Sequence, residues 1–463
     1  MASSKSSISR RRILRTGAAV IGGGTAALLG GGAGVAQATP AALQQSGNVA
    51  GRRFKAMVTR GFGPNTTSLQ ELRLLPISGR QVVVRTEATQ CCYTMVGRML
   101  GVQAPPNPAP GAPPPNLNPN QAVILGHGGV GIVEAVGPSV KRLQVGDRVI
   151  VGVTPECGDC YQCVRGRADR CQVVFGTPPD PIIPIAEMAD GTRVVQATNI
   201  GGFAELMVTL DEWVVPIFTN APAAELAMLH CVGATGLGTT MTLAPVEPGS
   251  DVAVFGCGPV GLSAVQGARI MGANQIIAIE PIKARRDLAL KVGATTALDP
   301  NAEGDNLLET IRELCKGATD RRFSGARARA GVNRGPDFII EAVGGDRVKP
   351  RVEQGPDPTG IGALQQAWQL CPAGGHICTT GIAQQGNVSF PGGQWSNGSK
   401  SHHSSQWGGT HLKRDIPRYV KLIERGVYDA KALVTARYPL EKTLEAFEAV
   451  GYRTTVTAVV EFT

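Results

Sequence analysis

Asp251-Val-Ala-Val-Phe-Gly256-Cys-Gly258-Pro259-Val260-Gly261-Leu262 runs a short apolar stretch straight into the pattern G-x-G-x-x-G. The apolar run has the length of a buried strand, and the residues after it predict a helix reaching Met271, with Gly272 as its C-cap. Pro259 suits the first helical turn, where a missing N–H costs little. Gly256 permits a tight turn, Gly258 lets a pyrophosphate approach the backbone, and Gly261 lets the helix pack closely on the strand. The helix N-terminus, from Pro259 and Val260 onward, then faces the phosphates. A second strand, Gln275 to Ile279, ends at Glu280, 19 residues after Gly261. A carboxylate there accepts both ribose hydroxyls and repels a 2′-phosphate, so the pattern favours NAD over NADP.

Working outward, apolar strands alternate with amphipathic helices from Cys231 to His403, the rhythm of a parallel α/β sheet. Pro336 to Gly344 and Gly375 to Ile382 read as further strands of it. The last sixty residues predict a helix over 416–425, a helix near 440–450 and a closing strand over 455–462. On the N-terminal side, from Lys55 to about Val215, short alternating runs such as Gln81-Val-Val-Val-Arg85 are broken by Gly and Pro, which predicts a β-rich domain. Residues 103–120 hold eight of the 32 prolines and read as an extended surface loop. Residues 176–196 read as a second loop-like insertion. His402, His403 and His411 lie in a Ser/Gly-rich stretch and read as surface residues.

Composition narrows the class. Hydrophobic residues make up 43% of the 463 and charged residues 17%, which excludes general disorder. Of the formal net charge of +9, five units lie in residues 1–38 and five in Arg321, Arg322, Arg327, Arg329 and Arg334. The remainder is close to neutral, so no nucleic-acid partner is expected, and the 321–334 cluster reads as a solvated loop.

Ser9-Arg10-Arg11-Arg12-Ile13-Leu14-Arg15 resembles the twin-arginine export signal. A Gly/Ala-rich stretch follows, then Ala36-Gln37-Ala38, a small-x-small cleavage site. Eight glycines between Thr16 and Ala38 argue against a stable membrane anchor. The expectation is a signal peptide over 1–38, a flexible leader over 39–54 and a mature protein exported outside the cytoplasm. The twin-arginine route carries folded proteins, which implies a cofactor or metal loaded before export.

Cys157-x2-Cys160-x2-Cys163-x7-Cys171 places four thiols within fifteen residues of turn-rich chain. Four thiolates close a tetrahedral site and suit structural zinc; two disulfides are the competing reading in an exported protein. Folding in the reducing cytoplasm favours zinc. Cys92, His127 and Cys231 are three further ligand candidates far apart in sequence.

Ala88-Thr-Gln-Cys-Cys92-Tyr93-Thr94, Gly126-His127-Gly-Gly-Val-Gly131, Gly146-Asp-Arg-Val149, the four-cysteine lobe and Cys231-Val-Gly-Ala-Thr235-Gly236 follow one another in order ahead of the glycine fingerprint. In this they resemble the zinc-containing medium-chain alcohol dehydrogenases, from about Lys55 to the C-terminus. The resemblance implies a GroES-like β-rich catalytic domain over 55–230, with a structural zinc lobe at 157–171. It implies a Rossmann doubly wound NAD-binding domain over 231–404 and a return to the catalytic domain over 405–463. It also implies two zinc ions per chain and one NAD. Cys92, His127 and Cys231 would hold the catalytic zinc, and Thr94 would shuttle the alcohol proton. Thr235, Val343 and Ile382 would lie along the cofactor. Cys91 is adjacent to Cys92, but only Cys92 gives Thr94 the family spacing.

Three positions depart from the family pattern. Gly128 replaces the usual acid after the histidine, Met95 the aspartate after the shuttle hydroxyl, and Gly97 a histidine that ends the proton relay in many members. Such groups tune a metal or orient its ligands. The leading expectation is a zinc-dependent, NAD-linked oxidoreductase acting on a primary or secondary alcohol, or the matching aldehyde or ketone, exported with NAD bound. The segments 103–120 and 176–196 are candidates for covering the site. Alternatives are a reductase of another carbonyl and a degenerate, non-catalytic zinc/NAD-binding protein. Expected partners are the small substrate, the twin-arginine machinery and, by family precedent, copies of itself in a homodimer or homotetramer.

Overall fold

Residues 49–102, 122–172, 183–315, 335–383 and 386–463 are described by a computed structural model, within the unit Gln44–Thr463. The expected export signal at 1–38, residues 39–48 of the expected leader, the proline-rich 103–120 segment, residues 176–182 and the arginine cluster at 321–334 lie outside the described residues.

Among the described residues the strands form three sheets. β1 (Arg53–Thr59), β2 (Thr67–Leu74), β4 (Ala122–Ile124), β7 (Ala186–Glu187) and β8 (Arg193–Gln196) close into a barrel. Alternate residues Phe54, Ala56 and Val58 of β1 point inward against Leu72, Leu74 and Val194. β7 and β8 correct the loop expected over 176–196. Past exposed Ile183, its described part carries buried Ile185 and Ala186 and continues in the buried pair Val194 and Val195, so this part closes the barrel.

A second sheet is built on β3 (Gln81–Gln90). It runs β10 (Val214–Pro216), β6 (Arg148–Val151), β5 (Gly129–Val136), β3, β18 (Ala458–Glu461) and β17 (Ala436–Pro439), with β9 (Leu206–Leu210) also paired to β3. The C-terminal strand therefore returns to the N-terminal half, Val460 opposite Thr89. This return carries the end of β3, and with it Cys92, toward the third sheet.

That third sheet is wholly parallel, in the order β13 (Thr296–Leu298), β12 (Gln275–Ile279), β11 (Asp251–Phe255), β14 (Phe338–Glu341), β15 (His376–Thr379), β16 (Ser401–Ser404). Helices α1 (Val232–Gly238), α2 (Pro259–Ile270), α3 (Lys283–Val292), α4 (Leu307–Leu314) and α5 (Ile361–Leu370) pack on it. β11 shows why two helical layers form. Val252 and Val254 join the core with Leu262 and Val265 of α2, whereas Ala253 and Phe255 join the core with Ile311 of α4 and Trp368 of α5. Each Val, Leu, Ile or Phe side chain among them, fully buried, contributes roughly 1.5–3 kcal/mol. Strand order reverses between β11 and β14, which opens a crevice at their C-terminal ends.

β16 leaves His402 exposed, as expected, and corrects the surface reading of His403 alone, which is half-buried. They stand on a parallel edge strand, where the His403 ring nitrogen lies 3.1 Å from that of His376 and His402 lies 3.0 Å from the Thr379 hydroxyl. His411, also expected at the surface, is buried at the N-cap of the helix Leu412–Glu424. No single helix among the described residues is long and apolar enough to cross a membrane.

Candidate active site

The glycine turn is built as its spacing demands. Gly256 has φ +86°, and a Cβ there would meet the Ala342 carbonyl at 2.9 Å, so only glycine fits. At Gly261 a Cβ would overlap the Gly256 carbonyl oxygen, which sets how tightly α2 lies on β11. Gly258 caps α2, and its only neighbour on the Cβ side within 4 Å is Arg285 Nη1 at 3.9 Å, which leaves the backbone open toward the crevice. Pro259 is the first residue of α2 and Val260 the second. Glu280 follows the last residue of β12 and is buried. Its carboxylate accepts the Cys257 N–H (2.7 Å) and the Ile282 N–H (3.0 Å), which aligns it beside the turn.

Gly256, Gly258, Pro259, Val260, Glu280, Val343 and Ile382 line one cleft, and Cys92 and Thr94 line it too. Thr235 stands apart: it is buried within α1 and is not on the cleft wall. Beside them the cleft holds cations that the sequence reading passed over. Arg285 is buried below Gly258, and Arg453 pairs with Asp346 and lies 5.6 Å from the Tyr93 ring. The Tyr93 hydroxyl in turn accepts the Arg347 N–H at 2.9 Å. A buried arginine five residues past Glu280 was a visible signal; Arg347 and Arg453 had none, because only the fold brings them here.

Residues 344–360 form a strap along this cleft. Gly345 N–H donates to the Ile382 carbonyl (3.0 Å), and Asp346 N–H donates to that of Pro358 (2.7 Å). Farther along, Lys283 N–H donates to Glu353 (3.3 Å) and the Asn301 side chain donates to the Gln354 carbonyl (2.9 Å). The strap is thus tied to the segments that follow β12 and β13, and Gly355, Pro356 and Asp357 become cleft wall.

Cys92, His127 and Cys231 converge, with their donor atoms all within 4.8 Å of one another. They come from the end of β3, the turn before β5 and the start of α1. Cys92 carries a thiol drawn well below its ordinary value, first by the hydrogen bond from Cys231, against the pull of burial, and also by His127 and Thr94. Thr94 is exposed, and its hydroxyl donates to Cys92 Sγ at 3.2 Å. His127 Nε2 is buried with no hydrogen-bond partner among the described residues. An orphaned imidazole nitrogen beside two sulfurs, one of them with its thiol drawn downward, fits a zinc ion. Cys91 instead packs with Met57, Val96 and Phe447, and burial holds its thiol well above the ordinary value.

The structure gives a steric reason for Gly128. A Cβ there would overlap the Nδ1 of His230 and lie 2.6 Å from the Val151 carbonyl, so the acid expected after the histidine has no room. A Cβ at Gly97 would meet the Val102 carbonyl at 3.0 Å, with Arg347 Nη1 3.6 Å away.

The four lobe cysteines also bring their sulfurs within 4.8 Å of one another. Backbone N–H groups of Cys160 and Cys163 donate to Cys157 Sγ and Cys160 Sγ, both at 3.4 Å. Burial pushes Cys157 and Cys163 up to about 11. Cys160, against the same pull, is brought down to about 6 by the N–H groups of Gln172 and Cys163. Four mutually close sulfurs, two of them receiving N–H bonds, suit a tetrahedral zinc site.

Comparison with known proteins agrees with this arrangement. Residues 78–219 match the alcohol dehydrogenase GroES-like domain, and residues 259–354 match the zinc-binding dehydrogenase family. The S-(hydroxymethyl)glutathione dehydrogenase of Saccharomyces cerevisiae is 28% identical over 390 residues, which cover 82% of this chain and 89% of that protein. The alcohol dehydrogenase class-3 of Myxine glutinosa is 32% identical over 259 residues, covering 55% of this chain and 65% of that one. Among solved structures, the benzyl alcohol dehydrogenase of Acinetobacter calcoaceticus is 25% identical, with a TM-score of 0.71, covering 89% of this chain and 100% of that one. With a GroES-like domain, a parallel Rossmann sheet and two clusters of metal-ligating side chains in place, the chain belongs to the zinc-type medium-chain alcohol dehydrogenase family.

Proposed function

We propose that this chain is an exported, NAD-linked dehydrogenase that interconverts a primary or secondary alcohol and its aldehyde or ketone, with zinc at two sites. One observation carries the reading: Cys92 and Thr94 line the same cleft as Gly258 and Glu280. One ligand candidate of the metal cluster, the shuttle hydroxyl and the dinucleotide fingerprint therefore address one space. Zinc held by Cys92, His127 and Cys231 would supply the Lewis acidity that eases loss of the hydroxyl proton, and NAD would supply the acceptor for the hydride on the carbon bearing that oxygen. The chain supplies the rest. Thr94 takes up the proton and, being exposed, passes it to solvent without the histidine that Gly97 replaces. Glu280 binds the ribose hydroxyls and disfavours a 2′-phosphate.

The strap at 344–360 supports retention of NAD, because a cofactor lying between it and the glycine turn leaves only by displacing tied backbone. Retention suits a protein working where free NAD is scarce, and the NADH formed is then reoxidised in place by a second carbonyl substrate or an electron acceptor. The test is to denature the purified mature protein and assay the released nucleotide. About one NAD per chain is expected; empty protein fully active on added NAD would end the retention reading. A substrate panel including benzyl alcohol and S-(hydroxymethyl)glutathione, run with NAD and NADP, tests the reaction. Absence of turnover by the zinc-loaded, NAD-bound protein would favour a non-catalytic binding protein. Export predicts a mature N-terminus after Ala38 in the extracytoplasmic fraction, which N-terminal sequencing reads directly.

A further inference from the structure

His230 is buried, and it touches the surroundings of all three catalytic ligands. It directly precedes Cys231. Its Nε2 accepts the N–H of Gln90, two residues before Cys92, at 3.3 Å. Its Nδ1 faces Gly128, directly after His127, and occupies space that any side chain at 128 would need. The His230 and His127 rings meet edge to face, with centroids 5.7 Å apart. His230 Nδ1 is buried without a partner among the described residues. Packing alone would be served by an apolar residue, without a buried, unpartnered polar atom.

We propose that His230 is a positioning residue of the catalytic metal site, a wedge that sets the relative placement of the three segments delivering Cys92, His127 and Cys231. Gly128 is its steric complement. The ring does not ligate the metal in this geometry; it stands behind the ligands, where outer-sphere groups fix ligand orientation. The proposal rests on the reading that these three residues hold zinc.

Cobalt substituted for zinc reports ligand geometry through its visible absorption, independently of turnover. His230→Phe keeps the ring and removes the acceptor for Gln90, His230→Ala removes the wedge, and His230→Gln keeps an acceptor on a shorter, flexible group. Phe and Ala are expected to shift the cobalt bands of the catalytic site. They are expected to release that metal to a chelator about 10–100-fold faster, the usual range for lost outer-sphere partners. Gln should recover part of both effects, and the metal of the Cys157–Cys171 lobe should exchange at the wild-type rate. Unchanged bands and release in all three variants would overturn the proposal, as would equal acceleration at both sites, which marks a general loss of structure. Failure of the zinc reading looks different: wild type and Cys92→Ser would then show the same cobalt spectrum.

Discussion

The carboxylate of Glu280 accepts the backbone N–H of Cys257 at 2.7 Å, so the acid after β12 is fastened to the middle of the glycine turn after β11. In the proposed function one side chain would both hold the turn that receives the pyrophosphate and present its oxygens to the adenosine ribose. Glu280→Ala should therefore weaken NAD binding by about 10–100-fold, the equivalent of about 1.5–3 kcal/mol for a hydrogen bond to a charged group. It should also narrow the preference for NAD over NADP. Titration of the emptied protein with each dinucleotide checks both; an unchanged NAD/NADP ratio would place ribose recognition elsewhere.

Thr94 carries the proton step in the proposed reaction. Thr94→Ala should lower kcat by roughly 10²–10⁴, the span of a lost proton-transfer group, and leave two zinc ions per chain. Thr94→Ser should keep most activity, because the hydroxyl is retained. Equal activity of the Ala and wild-type proteins would show that the proton leaves by another route.

Glu341 predicts a pH dependence of stability. Burial pushes its carboxyl from 4.5 up to about 7, only partly offset by the N–H groups of Val343 and Gly344, and its Oε2 has no hydrogen-bond partner among the described residues. The folded state thus keeps a proton that the unfolded state loses. The stabilisation is complete below pH 4.5 and is lost as pH rises through 7, by about 3 kcal/mol. His230, held down to about 3 by burial, acts with the opposite sign as pH falls below 6.5. Comparing Glu341→Gln with wild type from pH 4.5 to 7.5 cancels the His230 contribution. The difference in unfolding free energy should shift by that amount; a flat difference would mean the acid is ionised in the fold.

What was legible in the sequence was what is local. The turn at Gly256–Gly261, the β12 acid and the four-cysteine lobe each sit within a short run whose spacing states its geometry. The catalytic ligands come from three distant segments and were legible only through resemblance to a family. Tertiary placement hid the rest. Arg453 meets Asp346 and Arg347 only because the turn after the helix Thr443–Gly451 returns to the crevice beside the segment that follows β14. Gly128 read as a missing acid until His230 was seen in its place. β16 carries Ser and His and read as a surface stretch, because as an edge strand it is buried less than its neighbours and lacks their apolar run.

The strap gives the sharpest test of cofactor retention. Asp346 lies in it and pairs with Arg453, both side chains little exposed, while Asp346 N–H holds the Pro358 carbonyl. Asp346→Asn removes the ion pair but leaves the backbone bond and keeps the Arg453 cation in the cleft. If the strap retains NAD, the variant should release it faster, by about 10-fold for each 1.4 kcal/mol of lost restraint. Affinity should then fall through the off-rate, with the on-rate nearly unchanged. If Arg453 instead holds the cofactor by charge alone, freeing it from Asp346 should tighten binding. Stopped-flow release of bound NADH, followed by its fluorescence, separates the two by sign: faster release supports the strap, and slower release rejects it.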